Sequence, residues 1–163
     1  MYELLTLPDE RLRQVSQPVT TFDAKLHKFA ASLEAAMLAG AGGVGIAAPQ
    51  LGVLQRLIIV DCSLGLHKNK NHGRLIMVNP EIIEHDGEVL GREGCLSVPE
   101  WVGTVPRSRR ITVRYQDLDG QAHELSTKAV EARVIQHEID HLDGILFIDK
   151  VVSTKDLIRR MDK

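Results

Sequence analysis

This 163-residue sequence is short of cysteine and of aromatic residues, and it lacks any long apolar run. No stretch approaches the roughly 18 apolar residues that a membrane-spanning helix needs. The net charge of −2 gives no general attraction to DNA or to an anionic membrane. The start of the sequence has neither a secretory signal nor an arginine-rich transit pattern, so we expect a cytoplasmic chain whose two cysteines, Cys62 and Cys95, stay reduced.

Internal repeats and low-complexity linkers are also absent, so the sequence offers no domain boundary. The length is sufficient for one domain with a sizeable core. A content of 44% hydrophobic and 26% charged residues is ordinary for a globular fold. We therefore predict a single domain over residues 1–163.

The pentapeptide at residues 137–141, His-Glu-Ile-Asp-His, carries the strongest chemical signal. On an α-helix, His137 and His141 lie one turn apart on the same face, so both imidazoles can reach one metal ion. Glu138 lies beside the first histidine, where it can take a proton from a metal-bound water. The alternative is a chance grouping on a solvated helix face, but the spacing favours a metal-binding helix.

A catalytic metal site usually has three protein ligands, so a third must come from elsewhere in the chain. In the common HExxH proteases that ligand lies downstream, as a glutamate or a histidine. This sequence has no glutamate after Glu138 and no histidine after His141, which leaves Asp149 as the only downstream candidate. The usual protease pattern is therefore incomplete.

Upstream of the helix, Cys95 is the best candidate for the third ligand. It lies in a short segment, residues 93–99, that contains glycine and ends in proline. A thiolate is a strong metal ligand, and a nearby cation lowers the pKa of the thiol. Cys62 instead follows an apolar run, where a lone cysteine is most often a small core residue. His67 and His72 belong to a polar segment that is most simply a surface turn.

A glycine-rich segment at residues 43–50 forms a third constellation. Small residues let a backbone approach a ligand closely. Gln50 at its end offers an amide donor for a developing oxyanion. A phosphate loop is excluded because no Gly-Lys-Ser/Thr follows. A flexible loop remains the alternative for this segment taken by itself.

Together, the three segments resemble the peptide deformylases. The motifs of that family are G-φ-G-φ-A-A-P-Q, E-G-C-φ-S and H-E-φ-D-H, where φ is a hydrophobic residue. In this sequence they fall at residues 43–50, 93–97 and 137–141, in the order and with the spacing of the family. Residues 5–13 and 142–147 are similar to the family as well, so the likeness covers nearly the whole chain.

The resemblance implies a hydrolase that removes the N-formyl group from the initiator methionine of new polypeptides and releases formate. Cys95, His137 and His141 are then expected to bind one divalent metal ion. That ion is usually Fe²⁺ in the cell and is often replaced by Zn²⁺, Ni²⁺ or Co²⁺ on purification. Glu138 is expected to act first as general base and then as general acid.

The resemblance also implies the groups that hold the substrate. Gln50 and the backbone N–H of Leu96 are expected to polarise the formyl carbonyl and to stabilise the oxyanion. The residues expected to bind the rest of the substrate are Gly45, Val44, Glu93, Val130 and Val134. We expect Val44, Val130 and Val134 to line the methionine pocket.

The expected fold is α+β, with mostly antiparallel sheets packed around a central metal-binding helix over residues 128–142. Asp23 is expected to cap a first helix. The Asp86-Gly87 pair predicts a hairpin, and Asp119-Gly120 predicts a turn. Strands are predicted near residues 56–61, 75–83, 88–91, 111–116 and 121–126.

Two positions and the tail depart from a simple match. Val102 stands where many family members carry a substrate-binding arginine, which puts that contact in doubt. Trp101 is either a packing residue or a wall for the residue after methionine. The tail is predicted to be a weakly basic helix end that is solvated or, less simply, contacts ribosomal RNA. Its cations are Lys155, Arg159, Arg160 and Lys163.

Two other functions stay open from the residues alone. An HExxH endopeptidase would accept long unformylated peptides. A binding module that had lost its chemistry would show damage at a ligand, at the base or at the glutamine, and all of these are intact here.

Overall fold

The computed structural model describes residues 2–40, 43–65 and 68–159, and within them it has two α-helices and two antiparallel sheets. The helices are α1 (Ala24–Ala39) and α2 (Ala129–Leu142). The strands are β1 (Gly45–Ala47), β2 (Leu57–Asp61), β3 (Arg74–Asp86), β4 (Val89–Cys95), β5 (Val98–Arg107), β6 (Arg110–Gln116), β7 (Ala122–Lys128) and β8 (Ile158–Arg159). The predicted α+β class is confirmed.

The first helix forms where the sequence predicts it. The Asp23 side chain accepts a hydrogen bond from the Leu26 N–H at 3.0 Å and so caps the first turn. The buried face is apolar and packs against residues of β1 and β2. Its members are Leu26, Phe29, Ala30, Leu33 and Met37.

The strands divide into a five-stranded sheet, in the order β1-β2-β3-β6-β7, and a three-stranded sheet, in the order β4-β5-β8. The Asp86-Gly87 hairpin prediction is therefore wrong, because β3 and β4 lie in different sheets. Strand β3 pairs with β6 as far as Asp86, and the chain then turns at Gly87, where φ is +70°. Strand β4 pairs instead with β5, so the turn residues mark a change of sheet. The Asp119-Gly120 turn does join paired strands, β6 and β7.

Helix α2 packs into one apolar cluster, and its His137 ring stacks on Phe147 of a second cluster, which also contains Cys95. Ala132, Ile135, Ile139 and Leu142 pack with residues of β2, β3 and β6. The second cluster joins Cys95 and β5 residues to the segment at 146–147. The helix ends before Gly144, whose φ of +73° suits glycine, and the Gly144 N–H donates to the His141 carbonyl at 3.1 Å.

The tail differs from the prediction. Thr154–Asp156 forms a 3₁₀ turn, and Ile158 and Arg159 of β8 pair with Val102 and Trp101 of β5. The helix prediction is therefore wrong as far as residue 159, because the free edge of β5 offers backbone partners that the tail sequence does not reveal. Arg160 and Lys163, like His67, lie outside the described residues.

No helix of the described part of the chain is long and apolar enough to cross a membrane. The prediction of a single domain over residues 1–163 stays a prediction.

Candidate active site

The structure brings together the three residues predicted as metal ligands. Cys95, His137 and His141 each offer one ligand atom, and these atoms lie within 4.8 Å of one another. The Cys95 Sγ lies 3.3 Å from the His141 Nε2. All three side chains are buried.

Local structure explains how this cluster forms. His137 and His141 are one turn apart on α2, and their ring centroids are 5.2 Å apart. Cys95 is the last residue of β4, directly before the turn into β5, so the hairpin delivers its thiol to the helix. Asp149 is not part of the cluster, because its carboxylate accepts hydrogen bonds from Arg13 and from the Leu146 N–H.

Cys62 is a core residue, as predicted. It is 1% exposed within the cluster of β2, β3, β6 and α2. Burial, together with the charge of Glu131, raises the pKa of its thiol to about 12. A thiol of that pKa stays protonated at neutral pH, which is the wrong form for a metal ligand.

The chemistry of the cluster fits a divalent transition metal. One sulfur and two imidazole nitrogens are donors that suit zinc, iron, nickel and cobalt. Burial holds the pKa of His141 well below its usual range, so this ring is neutral, the form that binds metal. Beside the cluster, Glu138 Oε1 is buried and has no hydrogen-bond partner among the described residues, which suits an atom that faces a bound water.

A buried network of charged side chains holds the His137 ring through its Nδ1 atom. The Nδ1 of His137 lies 2.8 Å from the Glu93 Oε1, which leaves Nε2 available for a metal. Arg107 donates from Nε and Nη2 to the two Glu93 oxygens, both at 2.9 Å, and it also donates to Asp140. Arg133 donates to the Glu93 Oε2 at 2.6 Å. A carboxylate in this position fixes the tautomer and the orientation of a metal-binding imidazole.

This network keeps Glu93 ionised. Burial alone would raise the pKa of its carboxyl, but hydrogen bonds from His137 and Arg107 lower that pKa to about 2. Burial likewise disfavours the charged form of Arg107, and Glu93 and Asp140 more than compensate, so its pKa rises. Glu93 lines the cavity, but its oxygens already serve these three side chains. Its substrate-binding role stays a prediction.

The glycine-rich segment places Gln50 next to the cluster. The Gln50 Oε1 accepts from the Ala47 N–H at 2.9 Å, and Nε2 donates to the Ser97 Oγ at 3.0 Å. The same Nε2 lies 3.7 Å from the Cys95 Sγ, so an amide donor points towards the place where a metal would sit.

Gly45 lies in close contact with Glu138, the predicted base. A Cβ on Gly45 would lie 2.7 Å from the Glu138 Oε2 and 2.8 Å from the Val134 Cγ1. Any side chain there would push Glu138 or Val134 out of position, so only glycine fits.

A cavity of about 340 Å³ opens from the cluster between β4, α2 and the glycine-rich segment. Every predicted site residue except His141 lines it, including Leu96 and the three valines of the predicted methionine pocket. Trp101 and Val102 are not among its lining residues. A larger groove of about 620 Å³ lies beside Glu84, Arg110 and Lys128, but none of the predicted ligands lines it. Chemistry, not size, therefore identifies the site.

Three residues around the site were not predicted from the sequence: Arg133, Arg107 and Ser97. The position of Arg133 could have been predicted, because it lies one helical turn before His137 on the same face. Those of Arg107 and Ser97 could not, since their partners are brought close only by the β4–β5 hairpin and its packing on α2.

The fold and the site are those of a metal-dependent hydrolase: a helix and a strand bring together a cysteine and two histidines that could hold a metal ion, with a buried carboxylate, Glu138, beside them. The sequence matches the polypeptide deformylase family over residues 1–157. The chain belongs to this family, whose members remove the N-formyl group from nascent peptides.

Individual relatives agree with the family match. The peptide deformylase of Thermodesulfovibrio yellowstonii is 40% identical over 162 residues, which covers 99% of this chain and 96% of the relative. That of Syntrophomonas wolfei is 43% identical over 157 residues, covering 95% and 96%. The crystal structure of peptide deformylase from Thermotoga maritima superposes with a TM-score of 0.85 at 39% identity, covering 94% of this chain and 99% of that one. The predicted family and enzyme class are confirmed.

Proposed function

We propose that this chain hydrolyses the N-formyl group of formyl-methionyl peptides with one divalent metal ion held by Cys95, His137 and His141. The observation that carries the proposal is the buried cluster of these three side chains beside a cavity that is also lined by Glu138 and Gln50. Fe²⁺ is the proposed ion in the cell, and the same donors suit Zn²⁺, Ni²⁺ and Co²⁺. We place the reaction in the cytoplasm, on nascent chains, with transient contact to the ribosome.

Glu138 is the proton carrier of the reaction. A metal ion in such a site lowers the pKa of water from about 15.7 towards about 7 and so supplies a hydroxide nucleophile at neutral pH. Burial, only partly opposed by the charge of His137, raises the pKa of Glu138 to about 7. A carboxyl group of that pKa can accept a proton and then return it to the departing amine nitrogen at neutral pH.

Gln50 and Leu96 are the proposed oxyanion donors. Ala47 and Ser97 hold the Gln50 amide beside Cys95, so we expect its Nε2 to be positioned to donate to the formyl oxygen. The backbone N–H of Leu96 follows directly after the ligand Cys95. A carbonyl placed beside the metal site therefore has one amide donor from each wall of the cavity.

The lining of the cavity also supports the choice of substrate. Val44, Val130 and Val134 give it an apolar wall that suits the flexible thioether of methionine. Glu138 and Val134 lie close to Gly45, whose backbone is proposed to help anchor the peptide group of the substrate, while Glu138 and Gln50 crowd the reacting end. A formyl group carries hydrogen where acetyl carries a methyl group, so we expect the methyl group to clash.

A comparison of acyl groups tests the proposal. Formyl-Met-Ala-Ser, acetyl-Met-Ala-Ser and the free-amine peptide should be given to metal-loaded enzyme, with release of formate or acetate and of new amino termini measured. We expect rapid formate release and acetate release slower by more than about 200-fold, since a steric clash exceeds the 10- to 200-fold effect of a missing methylene. Equal kcat/KM for the formyl and acetyl peptides, or cleavage inside the free-amine peptide, would overturn the proposed function.

A further inference from the structure

Two arginines line the cavity, and they differ in what their side chains contact. Arg133 is fully occupied: it donates to Glu93, to the Val105 carbonyl at 2.9 Å and to the Val89 carbonyl at 2.6 Å. Arg92 is exposed, and within residues 2–40, 43–65 and 68–159 its side chain has no hydrogen bond and no ion pair. Arg92 is therefore the cation at the cavity that has charge available for a ligand.

The lining residues place Arg92 on the same wall of the cavity as Cys95. One wall runs along β4 from Cys95 back to Arg92, and the other runs along α2 from Glu138 back to Val130. Three residues of strand span about 10 Å, and eight residues of helix span about 12 Å. The β4 wall of the cavity thus spans about 10 Å from Cys95 to Arg92.

An extended peptide has the same rise per residue as a strand. With its formyl carbon beside the ligand cluster, the third residue of such a peptide lies about 10 Å away, level with Arg92. The acidic residues that line the cavity, Glu93 and Glu138, are buried at the inner end and do not neutralise its mouth. The mouth therefore presents a positive charge to the substrate chain downstream of methionine.

We propose that Arg92 is a specificity-determining residue that favours formyl-methionyl chains with an acidic side chain at the third position. This inference rests on the proposed function, since it concerns the substrate of the same site. The contact is solvent-exposed, and exposed pairs of opposite charge give about a two- to fivefold effect. We therefore expect kcat/KM to be about two- to fivefold higher for glutamate than for its neutral isostere.

The test compares formyl-Met-Ala-Glu-NH₂, formyl-Met-Ala-Gln-NH₂ and formyl-Met-Ala-Lys-NH₂, whose amidated ends remove the terminal carboxylate. The readout is the ratio of kcat/KM values within one enzyme preparation, which does not depend on the fraction of enzyme that is folded or metal-loaded. The variants are Arg92→Gln and Arg92→Glu. The matched control is Arg110→Gln on β6, another exposed arginine with no pairing in the described part of the chain, which does not line this cavity.

We expect the ratio of kcat/KM for the Glu peptide to that for the Gln peptide to fall to about 1 in Arg92→Gln. The same ratio should stay at the wild-type value in Arg110→Gln. Arg92→Glu should prefer the Lys peptide. The wild-type preference should also shrink near 1 M salt, where the Debye length is about 3 Å. A wild-type ratio of 1, or a preference that survives in Arg92→Gln, would overturn the role of Arg92 while leaving the proposed function intact. Failure to cleave any of the formyl peptides would overturn both.

Discussion

The two cysteines lie in opposite surroundings, although both are buried and both lie at a strand end. Cys95, at the end of β4, faces two histidines and a network of carboxylates and arginines. Cys62, just after β2, is packed among apolar residues such as Ile58 and Met77. Burial by itself therefore does not decide what a thiol does. The chemistry of the neighbouring side chains decides the role of each thiol, and α2 supplies both polar and apolar neighbours.

Helix α2 separates these environments by its faces. Ile135 and Ile139 pack into the apolar region, while His137 and His141 turn towards Cys95. The buried charges on the polar side lie next to charges of opposite sign. The Arg107 guanidinium, for example, forms ion pairs with both Glu93 and Asp140. Since an uncompensated buried charge is costly, the matching is what permits a polar site inside the fold.

The largest expected effect comes from removing the thiol on the polar side. Cys95→Ala leaves two imidazoles as ligands, so we expect the metal content to fall from about one ion per chain to near zero and formate release to be lost with it. Metal analysis after dialysis, beside the formyl-peptide assay, measures both. Cys62→Ala should keep its metal. If Cys62→Ala emptied the site and Cys95→Ala did not, the assignment of the third ligand would be wrong.

Removal of the base should spare the metal and stop the chemistry. Glu138→Gln keeps the three ligands and nearly the same shape, but it cannot accept a proton. We expect kcat to fall by about 10²-fold or more with unchanged metal stoichiometry. Steady-state kinetics on metal-quantified enzyme provides the measurement. A kcat near the wild-type value would remove Glu138 from the mechanism.

A smaller effect on metal binding is expected from Glu93, which contacts the predicted ligand His137 and is not itself predicted to bind the metal. Glu93→Gln weakens the support of His137 and leaves Arg107 and Arg133 without their shared carboxylate, so we expect a loss of about 10- to 100-fold in metal affinity. Competition with a metal chelator measures that affinity.

A matched control for this variant is Glu131→Gln. Glu131 is a fully buried carboxylate on α2, the helix that carries His137, and it is paired with His72, which is not a predicted ligand. This control should lose stability and keep its metal affinity. Equal losses of metal affinity in the two variants would show that Glu93 acts only through the stability of the fold.

The smallest effect should be found on the apolar side. Cys62→Ala removes one buried atom from a packed cluster, so we expect a loss of about 1 kcal/mol in the free energy of unfolding, comparable with other single-group deletions. Denaturant titration measures this loss, with formate release per bound metal unchanged. A change in that specific activity would show that the two regions are coupled more closely than their contacts indicate.

The sequence by itself determined the parts of this protein that depend on short spacing. The i, i+4 histidines, the adjacent carboxylate and the Asp23 cap are set by helical geometry within one turn, so their placement could be predicted without knowing the fold. The chemistry of a thiolate, supported by the family likeness, was enough to choose Cys95 over Asp149.

Only the tertiary structure decided which strands meet and what surrounds the ligands. The Asp86-Gly87 turn predicts a reversal of the chain but not that β4 will join another sheet, because strand pairing is set by distant partners. The tail likewise forms strand β8, and not a helix, because it pairs with the distant strand β5. Arg107 reaches Glu93 and Asp140 only after the β4–β5 hairpin packs on α2. The metal motif can be recognised in the sequence. Its hydrogen-bonded support and its burial come only from long-range packing.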